Sequence, residues 1–466
     1  MKRIFALLLA LLTLLLAVGC NGSIAENANT TSSLESIAPT DAQATTATPT
    51  TATPTTSTPT TSTPTAAPGP SPDDPVFMAG YSRVDITPDF VVSLNSSRNS
   101  VGVHDHIYAT CVATSNNGVI ALFITVDVRN ITNYMCQQTM NIIEDETGIP
   151  AENVIITATH NHSSPDTGLT GRTDIAKWFK LYYNALPQML NEAIADLAPA
   201  EMQIARTETE GMNFVRRYLM ADGTYNGIAG TNSGKKYVAH ETEADPEFQV
   251  IKFERGDKKD IVITNWQAHA AHALGMPENK ICADFISYIR DGAEEKYDCL
   301  FAYYQGACGN INFHSNLNLS KYGNNYIRVG MALVDVLGEA LENLEPAKTN
   351  EIKAIAKKVT VTKKNNGGTE EMPISAISIG DVAFIAAPYE MFDTNGMEIK
   401  DASEFEMTFI CAYANGRYGY IPSNFAFPHG DYEVQQCKYV QGTGEQIANE
   451  HIALLKQLYD SYNTKE

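Results

Sequence analysis

The chain has no C-x-x-C pair, no surplus of positive charge and no uninterrupted apolar run of bilayer length. Each absence removes a class of protein. The eight cysteines, Cys20, Cys111, Cys136, Cys282, Cys299, Cys308, Cys411 and Cys437, lack the paired spacing of a zinc ribbon. Thirty-three Lys and Arg against 54 Asp and Glu leave a net charge of −21. Such a charge speaks against nucleic acid or an anionic membrane surface as the main partner. The apolar run Ile4–Val18 is too short to span a bilayer comfortably, and no later run reaches the roughly 18 apolar residues of a membrane helix. Internal repeats are absent as well.

What stands at the start is a leader. Lys2 and Arg3 precede Ile4–Val18, and Ala17-Val18-Gly19 ends directly on Cys20. This pattern resembles a bacterial lipoprotein signal, which implies that residues 1–20 are an export signal and that Cys20 carries the lipid. The alternative is an ordinary secretory signal cut nearby. With Cys20 set aside, an odd number of cysteines remains, so at least one thiol is free or pairs between chains. Residues 21–75 are rich in Thr, Ser, Ala and Pro, with Pro49, Pro54, Pro59 and Pro64 five residues apart. Too little apolar surface is available there to offset ordering entropy, so the expectation is a disordered stalk. At roughly 3 Å per extended residue it could hold a domain on the order of 100 Å from a membrane. The expected location is the cell surface, outside the cytoplasm.

Residues 76–466 have the length and mixed patterning of one large catalytic domain. Cys111–Thr114 and Val119–Val126 flank Ser115-Asn116-Asn117-Gly118 as a hairpin. Phe248–Phe253 and Ile261–Trp266 form another, and Ile374–Ile379 pairs with Val382–Ala387 across Gly380-Asp381. Helices are expected over Tyr134–Thr147, Ala283–Tyr297, Tyr326–Leu344 and Glu445–Tyr459. Another should start at an Asp174 cap and run towards Leu197, kinked or split by Pro187. Hairpins with interspersed helices predict an α+β fold, a β-sandwich of mostly antiparallel sheets flanked by helices.

Five apolar strands run into polar loops. Val154-Ile155-Ile156 leads to His160-Asn161-His162, and Ile261–Trp266 leads to His269, with His272 three residues on. Leu300–Tyr304 leads to Gly309-Asn310-Ile311-Asn312, Val382–Ala387 to Glu390, and Met407–Tyr413 to Tyr420. A shared sheet end would gather these loops into one pocket. On an extended strand, His160 and His162 would face the same side, as a metal pair or as two locally hydrogen-bonded loop histidines.

The set GVHDHIYA, TATHNHSSPD, NWQAHAAH, GACGNIN, APYEMFDTNG and GYIPS…DYEVQ, in this order, resembles the catalytic domain of the neutral/alkaline ceramidase family. The resemblance covers nearly all of 76–466. It implies a zinc hydrolase with a helix-flanked β-sandwich core that cleaves the N-acyl amide bond of ceramides. Carried over by motif, His160, His269, Glu390 and Tyr420 would hold Zn2+, a donor set suited to that ion. His162 would face substrate, Tyr432 would be the second pocket tyrosine, and Arg216 would stand in the pocket. His272 remains an alternative to His269, and Arg217 to Arg216.

The chain departs from the family in two places. Where ceramidases carry G-D-x-S, this chain reads Gly309-Asn310-Ile311-Asn312, so Asn312 replaces the serine. An amide can orient a carbonyl but cannot serve as a hydroxyl nucleophile. After the helix at 445–459, no sequence remains for the immunoglobulin-like domain that the family implies. The expected chemistry is therefore attack by zinc-activated water on a lipid or small-molecule amide. A metallophosphoesterase should carry more Asp ligands. A surface-tethered binding protein that kept the fold is the remaining alternative.

Overall fold

Strand Val119–Val126 buries Ala121 and Phe123 in one cluster and Leu122, Ile124 and Val126 in another. Strands Ile261–Trp266, Leu300–Gln305 and Val382–Ala387 alternate in the same way. Both faces of these strands are dry, and that is why the sequence shows continuous apolar runs rather than a polar alternation. One central cluster unites the inner faces of three sheets, from Phe123 and Ile155 through Ile251 and Ile263 to Phe384 and Phe409. Helices cover the outer faces, with Trp178, Tyr182, Phe285 and Leu333 on one side and Ile399, Ile447 and Leu454 on the other.

The computed structural model describes residues 76–227, 237–271, 279–313, 325–349 and 351–462. The leader, Cys20 and the Thr/Pro-rich segment lie outside these residues, as does His272. From Pro70 to Glu466 the chain forms one compact unit. No helix among the described residues is long and apolar enough to cross a membrane.

The first sheet runs in the order Val154–Ala158, Val119–Val126, Tyr108–Asn116, Met78–Asp85, Ala198–Pro199. The second runs Leu300–Gln305, Ile261–Trp266, Glu247–Glu254, Glu201–Glu208, Glu345–Ala347. The third runs Ile352–Thr362, Thr369–Ile379, Val382–Ala387, Met407–Ala412. Smaller two- and three-stranded sheets complete the set. The three predicted hairpins are present, the first turning at Asn117-Gly118 with both residues at positive φ.

Each large sheet ends in a parallel pair joined through a helix. Val119–Val126 leads through Asn133–Thr147 to Val154–Ala158. Ile261–Trp266 leads through Phe285–Tyr297 to Leu300–Gln305. Val382–Ala387 leads through Asp393–Asp401 to Met407–Ala412. Parallel pairing puts the carboxyl ends of both strands at the same edge. The three edge strands also pack on one another, with side chains pinning them. Asn265 Nδ2 donates to Tyr304 O at 2.9 Å and Ile410 O at 3.0 Å. Thr157 Oγ1 donates to Ala412 O at 2.7 Å, and Asn415 Oδ1 accepts from Ile156 N at 2.8 Å.

Two local expectations change. Asp174 does not cap its helix. It lies in the first turn of Thr173–Ala195, and its carboxylate accepts from Ser93 N and Oγ, fastening the preceding loop. Pro187 does not split that helix, because flanking residues Leu186, Met189 and Leu190 are held in the core. All seven cysteines among the described residues are free thiols, most of them buried.

Asn265→Ala should leave two buried carbonyls without their donor. The expected loss is about 1–3 kcal/mol, read from urea denaturation of the purified chain. An unchanged midpoint would show that the edge strands do not depend on this pin.

Candidate metal centre

The loops beyond the parallel strands meet at one place. His160 follows Val154–Ala158, its backbone in the left-handed region at φ 59. That conformation costs a non-glycine residue roughly 1–3 kcal/mol. The strand has already ended at Ala158, so the extended geometry expected for His160-Asn161-His162 does not occur. The turned backbone nevertheless lays the His160 ring on Tyr413, centroids 3.8 Å apart at 19°, and brings its Nε2 to 3.1 Å from Nε2 of His162.

His160 Nδ1 meets Arg129 O at 2.8 Å, and His269 Nδ1 meets Cys308 O at 2.6 Å. A carbonyl can only accept, so each Nδ1 carries a proton and each Nε2 turns a lone pair inward. Between them lies Glu390, whose Oε2 is 3.8 Å from both Nε2 atoms. This oxygen is buried and has no hydrogen-bond partner. Tyr420 adds its hydroxyl 3.4 Å from His269 Nε2.

Burial, followed by the neighbouring imidazoles and Arg129, holds His160 well below the usual histidine range. Burial and then Arg216 do the same for His269. For His162, burial comes first and the guanidiniums of Arg129, Arg216, Arg98 and Arg417 follow. Burial raises Glu390, opposed by Tyr420 and by Arg129, Arg216 and Arg417.

Neutral imidazoles and an orphaned carboxylate oxygen facing one point are unstable company unless a cation sits among them. Two ligands about 2.0 Å from one ion at the tetrahedral angle stand about 3.3 Å apart, so 3.8 Å is near fit. The residues therefore suit a divalent metal. Among the described residues, His160, His162 and His269 form one group able to hold an ion, and His104, Asp105 and Cys282 a second. In the second, Asp105 already accepts from His104 and Cys282, which leaves no orphaned donor or acceptor among those contacts.

Arg216 lies in the centre and Arg217 does not. Arg216 Nη2 donates to Tyr420 OH at 3.0 Å and Gly309 O at 2.9 Å, while Nη1 is 3.5 Å from Asn312 Oδ1. Arg217 turns to Glu241 and to Ala426 and Gly430 carbonyls. Buried Glu433 bonds to both arginines and holds them apart in these roles. Tyr432 is exposed at the rim, its ring 5.6 Å from that of Tyr420. All the predicted site residues from His160 to Tyr432 thus meet. Arg129, Tyr413 and Glu433 were missed. The first acts through its carbonyl, the second through a ring face, and the third sits in the quoted DYEVQ motif.

Several solved structures share this arrangement of elements. A neutral ceramidase from Pseudomonas aeruginosa superposes with a TM-score of 0.70 at 15% identity, over 84% of this chain and 75% of that one. The fold is that of the neutral ceramidases. A ceramidase complexed with C2 gives 0.68 at 16% identity, over 83% of this chain and 76% of that one. No family model and no curated protein matches the chain by sequence. Gly309, in the loop after Leu300–Gln305, lies directly against the backbone of Glu390 and Met391. A Cβ there would lie 2.7 Å from Met391 O and 2.8 Å from Glu390 O.

Gly309→Ala should push Glu390 away from the imidazoles and weaken binding of added Zn2+ at least about tenfold, measured by competition with a chelating dye. Unaltered affinity would remove Gly309 from the design of the centre. A second expectation concerns Asp393, which accepts from Asn310 Nδ2 at 2.6 Å; Asn310 O in turn accepts from Arg216 N at 2.8 Å. Burial pushes the Asp393 carboxyl up to about 7. The folded chain keeps this proton where the unfolded chain, near 3.9, has lost it. Its contribution to stability is thus present in acid and is lost as pH rises through about 7. Asp393→Asn should gain on the wild type in urea midpoint between pH 5 and pH 8; parallel pH curves would contradict this.

Proposed function

We propose that the chain is a metal-dependent amidohydrolase of ceramidase type, with zinc as its ion. The observation that carries this reading is the convergence of two inward-facing imidazoles on the partnerless oxygen of Glu390. His160, His269, Glu390 and Tyr420 would hold the ion, and two nitrogens with two oxygens suit zinc. When bound, it would supply Lewis acidity towards an amide carbonyl and towards water.

The chain's own residues do the rest. Arg216 fixes the Tyr420 hydroxyl and reaches towards the Asn312 amide, while Glu433 keeps its guanidinium in place. Asn312 and Tyr432 border the space in which the acyl carbonyl would lie, and their donors would steady its oxygen as charge develops. His162 is half-buried whereas His160 and His269 are buried, so it is the imidazole that substrate can reach. As a neutral imidazole, it can take a proton from attacking water and pass it to the departing amine as the C–N bond breaks. A carboxylic acid and an amine result. No hydroxyl of residue 312 is needed on this route. The lipidated Cys20 and Thr/Pro-rich stalk read from the sequence belong to the same proposal and would tether the domain at the cell surface.

The full chain should contain or take up about one zinc per molecule by elemental analysis, and should cleave ceramide or a shorter N-acyl amide. His160→Ala should lose both. A wild-type chain that binds no Zn2+ would sink the metal reading, whereas one zinc with no turnover on any acyl amide would leave a binding protein.

A further inference from the structure

Two residues at the centre hold backbones that bulky side chains seldom adopt, and their rings lie against each other. Tyr413 has φ 55 and His160 has φ 59. Such conformations persist where the surroundings enforce them, and they gather at functional sites. Tyr413 is buried, directly after strand Met407–Ala412 of the third sheet. Its contacts reach residues beside three of the candidate donors. The phenol ring stacks on the His160 imidazole, centroids 3.8 Å apart at 19°. Its hydroxyl lies 3.3 Å from Cys308 Sγ, within hydrogen-bond reach, and Cys308 O accepts from His269 Nδ1 at 2.6 Å. Tyr413 O accepts from Ala158 N, at the end of the strand before His160, at 3.4 Å. Tyr413 N donates to the carbonyl of Tyr389, the residue before Glu390, also at 3.4 Å.

Two electron-rich rings stacked face to face are a poor arrangement. The stack becomes favourable when one ring is electron-poor, as an imidazole is once its Nε2 lone pair is given to a cation. The phenol face of Tyr413 therefore suits His160 better with an ion held than without. We propose that Tyr413 is the positioning residue of the centre: its ring sets the plane of His160, and its hydroxyl, through Cys308, sets His269. The loops it joins follow strands of the first, second and third sheets, so one side chain registers all three. It acts through the two imidazoles and not on substrate. This inference rests on the metal-dependent amidohydrolase reading, and its measurements are of binding rather than turnover.

The test titrates Zn2+ into the metal-free full chain in a calorimeter and records the visible absorption of the Co2+-loaded chain. Tyr413→Leu removes ring and hydroxyl together and should weaken Zn2+ about tenfold or more, with the Co2+ bands shifted. Tyr413→Phe restores the ring and should recover most of that loss, to within about threefold of the wild type. Leu and Phe are unbranched at Cβ, as Tyr is, so the positive φ bears on all three alike. Leu454→Ala, in the outer helix Thr443–Asp460, destabilises the core and controls for a loosened fold. It should keep both affinity and bands. Wild-type affinity in Tyr413→Leu, or an equal loss in Leu454→Ala, overturns the proposal. Should Tyr413→Leu fail to fold, Tyr413→Phe and Cys308→Ala decide. Each should weaken Zn2+ about threefold and the double variant no further. No loss in either, or losses that simply add, overturns the proposal. Should the wild type take up no Zn2+, the metal reading fails, and histidine-selective NMR of the metal-free chain decides instead. Tyr413→Phe should shift the Nδ1–H signal of His269, and Tyr413→Leu those of both histidines. Unchanged signals overturn the positioning role.

Discussion

The three parallel edge strands must bring their carboxyl ends to one point, and everything functional in this chain depends on that meeting. An edge strand normally exposes unpaired backbone groups and is a weak place to build on. Here the edges face one another, and amide or hydroxyl side chains satisfy carbonyls and amides across the gap, as Asn265, Thr157 and Asn415 do. The result is a rigid floor from two sides of a sandwich and a third sheet, with short loops standing on it. Open sheets with parallel strands place ligands beyond their carboxyl ends, and this molecule applies that rule three times over.

The same meeting creates an electrostatic problem. Glu390, His160 and His269 are buried together, and a carboxylate in a dry site is costly unless its charge is answered. Part of the answer is built in. Arg216 lies within reach through Tyr420, Arg129 adds positive potential, and Glu433 keeps Arg216 from collapsing onto the acid. A positive charge at the shared point would supply the remaining part. Carbonyls of Arg129 and Cys308 fix both histidine tautomers in advance, so the donor atoms are aimed before any ion arrives.

Strands buried on both faces were plain in the sequence, because continuous apolar runs and Asn-Gly or Gly-Asp turns are local signals. The parallel pairing was not. Val154–Ala158 finds its partner across a helix, and nothing in either strand names the other. The five strand-end loops do come together in space, but the sixth loop, after Val119–Val126, gave no polar motif, and its contribution is the Arg129 carbonyl at His160. Asp174 shows the opposite failure. An acid at a helix start looks like a cap until the tertiary structure hands it Ser93. Arg216 and Arg217 are chemically identical, and only the position of Glu433 and Tyr420 separates them.

His160, His269, Glu390 and Tyr420 come from units that are far apart along the chain and complete only in that order. A polypeptide emerging amino-terminus first therefore presents isolated histidines for most of its synthesis, and the four side chains stand together only when the last unit has docked. Assembly of the centre is thereby a report on completed folding. Because an ion bound there would join loops that follow strands of all three large sheets, its retention would also act as a kinetic latch against their separation.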